Sequence, residues 1–152
     1  MVKDDMVIPI LEALWLAKKA LECMPELPKD IKPSHIRVLE VIYKKYNQNG
    51  SVRVTDVSTA MQITKPSITK LINELVDIGT VKKTMADDDK RIVLVEPTSF
   101  GKECVQKYVL DYHAKLAEYF SEMEQGKYLS MIETVEFIYQ SMKEVSRKND
   151  EL

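Results

Sequence analysis

The sequence predicts a mainly α-helical fold carrying one small β-hairpin, and three observations predict it. Two short stretches with apolar residues at helical spacing, residues 54–61 and 64–78, are separated only by Gln62-Ile63, a connection short enough to force a two-helix corner. Immediately after Gly79 the pattern drops to period two, with Val81, Lys83 and Met85 alternating with Thr80, Lys82 and Thr84, and a β-branched run, Ile92-Val93-Leu94-Val95, follows the polar turn 86–91. Long amphipathic helical patterns lie on both sides of this unit. Helix, corner, helix, hairpin is the order of a winged helix-turn-helix. The expectation is one domain over 1–152, with the winged region at 33–97 and flanking helices at 4–24 and 98–149 forming a helical dimerisation region.

Each element has a local reason. The first helix presents Val7, Ile10, Leu11, Leu14, Trp15 and Leu21 on one side, and Pro25-Glu26-Leu27-Pro28 ends it because two prolines this close cannot sit in a helix interior. The next opens at Pro33-Ser34, carries Ile36, Val38, Leu39, Ile42 and Tyr43, and stops at Asn47-Gln48-Asn49-Gly50. In the helix over 54–61, Val57, Ala60 and Met61 are expected to face inward. The following helix begins at Thr64-Lys65-Pro66-Ser67, where Thr64 caps free amides and Pro66 loses no intrahelical bond, and it ends at Gly79. Its apolar stripe is Ile68, Leu71, Ile72, Leu75 and Val76. Beyond the hairpin, Val105, Tyr108, Val109, Tyr112, Leu116, Tyr119, Phe120 and Met123 run along one long helix, interrupted at Gln125-Gly126-Lys127. Tyr128, Met131, Val135, Ile138, Met142 and Val145 then alternate by threes and fours like a coiled-coil seam. Such stripes must be covered, and a second copy of the chain covers them economically.

The outward face of the helix at 64–78 holds Lys65, Ser67, Thr69, Lys70 and Asn73. Hydroxyls, an amide and lysines without bulky neighbours suit a DNA major groove, where they reach phosphate oxygens and base edges. The hairpin tip adds Lys90 and Arg91, and an arginine there can enter the adjacent minor groove. A dimer presents two such helices about 34–36 Å apart to a palindromic site.

Four pieces in this order resemble the MarR family of bacterial transcriptional regulators: Val52-Arg53-Val54-Thr55-Asp56-Val57, Ile63-Thr64-Lys65-Pro66-Ser67-Ile68-Thr69-Lys70-Leu71, Leu75-Val76-Asp77-Ile78-Gly79, and Asp89-Lys90-Arg91 leading into Leu94-Val95-Glu96-Pro97-Thr98-Ser99-Phe100-Gly101. The Asp-Lys-Arg wing followed by a strand and Thr-x-x-Gly is the specific part. The resemblance covers nearly the whole chain. It implies a homodimeric, ligand-responsive repressor on a pseudo-palindromic double-stranded operator, with Arg91 touching DNA and Asp89 holding that arginine. It also implies a small aromatic effector between the dimer helices and the winged unit, for which Trp15, His35 and Tyr43 are the candidate residues. Family members often carry a basic residue where Glu74 stands, so the acid here predicts a modest or narrowly sequence-dependent DNA affinity.

Composition sets the bounds. A chain of 152 residues that is 45% apolar and 30% charged is ordinary for a soluble globular domain. Its apolar runs are short, and Met1-Val2-Lys3-Asp4-Asp5 has acids where a signal peptide carries bases. A cytoplasmic protein without membrane contact is expected. The net charge of −2 runs against binding a polyanion; across residues 53–91 seven cations face six anions, a balance of +1. That acidity, with Glu74, motivates a second reading, a dimeric protein-interaction module whose winged helix binds operators weakly or not at all.

No catalytic residue, cofactor or metal site is expected. There is no Gly-rich phosphate loop, HExxH or GxSxG, and only four glycines are present. Cys23 and Cys104 are too few for a disulfide framework and read as small hydrophobes before oxidant sensors. His35 and His113 lack ligand spacing, Asp87-Asp88-Asp89 is a solvated turn, and Met24, Met61, Met85 and Met123 are core filler.

Overall fold

The computed structural model describes residues 3–150. A 3-10 turn, Lys3–Met6, leads into α1 (Val7–Glu22); α2 (Pro33–Asn49), β1 (Val52–Arg53), α3 (Val54–Met61), α4 (Lys65–Ile78), β2 (Val81–Met85), β3 (Val93–Pro97) and α5 (Ser99–Val105) follow. A π-helical turn, Gln106–Leu110, then separates α5 from α6 (Asp111–Phe120), and α7 (Gln125–Asp150) ends the order.

Backbone chemistry fixes the boundaries around the recognition region. Pro33 opens α2 in the first turn, and the chain leaves it through Gly50 at φ 72°. Gln62 turns the corner between α3 and α4 at φ 54°, a left-handed conformation that no other described non-glycine residue adopts. The Ser58 hydroxyl closes that corner by donating to the Ile63 carbonyl at 2.7 Å. The Thr64 hydroxyl caps α4 by accepting from the Ser67 amide, and Gly79, at φ 87°, releases the chain into β2.

The hairpin is part of a three-stranded antiparallel sheet in the order β1-β3-β2. β3 pairs with β2 from Val81↔Pro97 to Met85↔Val93, and with β1 through Val52↔Val95 and Arg53↔Leu94. The pairing of β1 goes beyond the two-stranded hairpin expected from periodicity, because two residues are too few to show a period. β3 also runs later than the β-branched run at 92–95. Met85, expected as core filler, is 60% exposed, since burial in β2 stops after Val81. In α3 the inward residues are Val54 and Val57, with Met61 half-buried, whereas Ala60 is exposed.

One core unites these elements. Val38, Leu39 and Ile42 of α2, Ile68, Ile72 and Leu75 of α4, Val52, Val81 and Val95 of the sheet, and Val105 of α5 are all fully buried. The Thr-x-x-Gly segment locks the sheet to α5. The Thr98 amide donates to the Thr80 carbonyl at 3.0 Å, and its hydroxyl donates to Gly79 at 2.6 Å while accepting from the Gly101 amide at 3.1 Å. A Cβ on Gly101 would lie 2.0 Å from the Thr80 carbonyl oxygen, so only glycine fits. Gly101, Cys104, Val105 and Val109 are therefore core residues, and the segment 98–149, expected to serve dimerisation throughout, begins inside the winged region's core.

The chain divides at His113 into two compact units. Within the first, no residue of α1 is buried, and Val7, Ile8, Leu11, Trp15, Leu16 and Leu21 are exposed. In the second, no residue of α7 is buried, and Tyr128, Met131, Val135, Met142 and Val145 lie open.

Candidate nucleic-acid interface

Burying Ile68, Ile72 and Leu75 turns the opposite face of α4 outward, so Lys65, Ser67, Lys70 and Asn73 are exposed and Thr69 is partly covered. Their polar groups are not equally free. The Ser67 hydroxyl accepts from Thr64 at 3.0 Å and keeps its own proton to donate. Thr69 donates to the Lys65 carbonyl at 2.8 Å, leaving oxygen lone pairs and a methyl group. The side-chain carbonyl of Asn73 accepts from Lys83 Nζ at 2.7 Å, so its amide hydrogens are the donors left over. Lys83 belongs to β2, and this bond ties the hairpin to the helix face.

On the wing, the Asp89 carboxylate accepts from the Arg91 amide at 3.0 Å and from Nε and Nη2 at 3.1 Å each. These bonds hold the Asp89 carboxyl below its ordinary range. The Arg91 guanidinium is thus oriented by a short local clamp while its side chain remains 91% exposed. Lys90 beside it is exposed.

Between α4 and the wing runs a groove lined by Arg53, Val54, Thr55, Lys65, Thr69, Lys83, Arg91, Ile92 and Val93. Four of these are cations and none is an acid. Arg53 and Lys83 did not stand out in the sequence. Arg53 reaches the groove through the β1–β3 pairing, and Lys83 through the hairpin register, neither of which has a signature in local spacing.

The carboxylates of this region are largely occupied. Asp56 accepts from the Arg53 amide at 3.0 Å at the start of α3, Asp89 holds Arg91, and Glu96 pairs with Lys82 at 2.6 Å. Glu74, the acid expected to oppose DNA, lies 2.5 Å from Nε2 of His35. That hydrogen bond, foremost among several causes, lowers the Glu74 pKa. The small positive balance read from the sequence therefore understates the cationic character of the groove, because several of the anions counted are turned to partners within the protein.

The remaining candidates are dispersed in character. His35 is 3% exposed and uses both ring nitrogens inside the protein, Nδ1 accepting from the Lys32 amide at 3.0 Å and Nε2 facing Glu74. It has no polar valence left for an effector. Trp15 is 64% exposed with Lys18 Nζ 5.2 Å from its ring centroid, and Tyr43 is half-buried against the core. Cys104 is buried, which raises its thiol pKa and suppresses the reactive thiolate, whereas Cys23 is exposed. Among the described residues no helix is long and apolar enough to cross a membrane.

A helix corner, an exposed cation-bearing second helix and a hairpin whose arginine is held by an aspartate define a winged helix-turn-helix protein. Residues 29–92 match the family model described as MarR family. The HTH-type transcriptional regulator YhbI of Bacillus subtilis (strain 168), itself uncharacterized, is 24% identical over 111 residues, spanning 72% of this chain and 68% of YhbI. The fold is similar to that of Streptococcus pneumoniae FabT solved in complex with DNA (TM-score 0.63, 18% identity, 93% of this chain and 96% of that one). It is also similar to S. aureus MepR, again solved with DNA (TM-score 0.62, 16% identity, 93% and 99%). Over residues 29–92 the chain is thus similar to the MarR family, and its fold is that of winged helix-turn-helix proteins.

Proposed function

We propose that this protein is a DNA-binding transcriptional regulator, a repressor that binds a pseudo-palindromic operator as a homodimer and is released by a small aromatic ligand. The observation that carries the reading is the groove between α4 and the wing, with Arg53, Lys65, Lys83 and Arg91 on its walls and no carboxylate among its lining residues. A major groove receives α4, with Lys65, Ser67, Thr69 and Lys70 as the contacts and the donors of Asn73 beside them, while Lys90 and Arg91 follow the backbone into the neighbouring minor groove. FabT and MepR, solved with DNA, support the same use of this fold.

The homodimer rests on the exposed apolar faces of α1 and α7, which water disfavours and a second copy covers. The protein has no catalytic role in this reading, and it works in the cytoplasm, where a bacterial operator lies. Of the three effector candidates, Trp15 and Tyr43 remain, since His35 is engaged within the fold. Trp15 is the only tryptophan, so a bound aromatic effector is expected to change its emission and to weaken operator binding in parallel.

The test is selection of bound sequences from a random DNA pool, followed by a salt titration on the enriched site. A palindrome is expected, with affinity falling by a log–log slope of about −0.9 per phosphate neutralised. Folded, dimeric protein that enriches no sequence overturns operator binding and leaves the interaction module as the better reading.

A further inference from the structure

The one buried histidine of the winged region has a partner that an operator-binding helix would not be expected to carry. His35 lies in the first turn of α2, and its ring joins two places. The Lys32 amide donates to Nδ1, which makes Nδ1 the bare nitrogen and puts the ring hydrogen on Nε2. Nε2 then donates to Oε2 of Glu74, 39 residues away on α4. The imidazole thus caps α2 with one nitrogen and grips α4 with the other. Glu74 is only partly covered, while Ile72 and Leu75 beside it are fully buried. Lys70 and Lys32 contribute to keeping its carboxylate ionised, after the hydrogen bond from His35 itself.

Two roles for Glu74 make opposite demands. As an unassisted anion on a DNA-facing helix it repels phosphate, and its removal tightens binding. As the far end of the His35 tie, it fixes the angle at which α4 leaves the core, and its removal lets the exposed face of α4 wander from the groove it must enter. The buried and doubly bonded histidine favours the second. We propose that His35 and Glu74 form a positioning pair for DNA recognition, anchoring α4 to the capped end of α2 so that operator affinity depends on both residues although neither touches DNA. The inference rests on the operator-binding reading above.

The experiment compares operator affinity, per folded dimer, among variants chosen for sign. Glu74→Leu removes a negative charge, so electrostatics alone tightens binding; the positioning role instead weakens it by about tenfold, the scale of one lost hydrogen bond to a charged group. His35→Leu weakens it similarly, and the double variant is no worse than the weaker single one, because the pair acts as a unit. Glu74→Gln keeps an acceptor for Nε2–H and retains or improves affinity. His35→Gln restores function, since one amide can accept from the Lys32 amide and donate to Glu74. Should His35→Leu fail to fold, Glu74→Leu and His35→Gln still decide. Unchanged or tighter binding by Glu74→Leu, or failure of His35→Gln to match the wild type, overturns the pair while leaving operator binding intact. Wild-type protein that binds no operator overturns both.

Discussion

The winged region and the C-terminal helix spend their apolar residues in opposite ways. Between Ile31 and Val109, Leu39, Ile42, Ile68, Ile72 and Leu75 are sealed in one core built from α2, α4, the sheet and α5. In α7, 26 residues long, an apolar stripe of comparable regularity contains no buried residue. Periodicity says that a face wants cover, and only tertiary structure says whether the chain supplies that cover itself. The first region is a self-contained fold that presents a polar helix and a wing. The second leaves its apolar side chains outside, which is the observation on which the proposed homodimer rests.

The largest effect expected from breaking that contrast comes from truncating one residue of each kind. Leu39→Ala should lower unfolding free energy by about 2–5 kcal/mol, the cost of lost burial plus a cavity. Val135→Ala should scarcely change the stability of a single chain, while Val135→Asp should convert the dimer to monomer without unfolding the winged region. Chemical denaturation at several protein concentrations, with sedimentation for the oligomer, separates these outcomes. Loss of winged-region structure in Val135→Asp would mean that the winged region, too, depends on cover from a second copy.

Gly101→Ala should rank next. Its new Cβ would collide with backbone rather than a side chain that can swing aside, so the strain falls on the Thr80–Thr98 connection between sheet and α5. A loss of about 1–3 kcal/mol is expected, as for overpacking elsewhere, read as a lower denaturation midpoint with the oligomer unchanged. A neutral result would show that this junction yields more easily than the core it closes.

Most of the scaffold could be read from local chemistry. Thr64, Pro66 and Gly79 state where α4 starts and stops without reference to anything distant, and the positions facing inward follow from its period. β1 was not legible, because two residues carry no period and their pairing with β3 is decided by chain return. Met85 satisfies the alternation yet remains exposed, since alternation cannot say how far along a strand the core extends. The π turn at Gln106–Leu110 was not legible either, because the backbone stays helical from α5 through it into α6, and one widened turn leaves no mark in the apolar repeat. At the candidate interface the same division holds. Lys65, Ser67, Thr69, Lys70 and Arg91 were visible as one helix face and one hairpin tip, but Lys83 on Asn73 and His35 on Glu74 are pairings through space. Glu74 showed its charge in the sequence and hid its partner.

The interface should also separate affinity from stability. Arg91→Ala should weaken operator binding by about tenfold, within the range for a lost charged contact, and leave melting and dimerisation unchanged because the side chain projects into solvent. Lys70→Glu should weaken it further, since it reverses a charge on the exposed face of α4. Binding isotherms beside thermal melts check both. Unaltered affinity in Arg91→Ala would remove the wing from the interface, and dissociation of the dimer in Lys70→Glu would assign that face of α4 to the wrong partner.

The smallest effect lies in the Asp89 clamp. Its carboxyl pKa is lowered in the folded wing by hydrogen bonds from Arg91, so the carboxylate's contribution is present above its unfolded pKa and is lost as pH falls through the lower folded value. Acidification below the ordinary carboxylate range should therefore release Arg91 from Asp89 before it disturbs the core. Nuclear magnetic resonance can follow the Asp89 carboxyl and Arg91 Nε signals together while the methyl resonances of Leu39 and Ile72 report on the core. Coincident transitions at all these sites would show that the clamp has no separate titration. In Asp89→Asn the early transition at Arg91 should vanish while the Leu39 and Ile72 signals keep their wild-type profile, because the bonds from Asp89 to Arg91 are local to the wing.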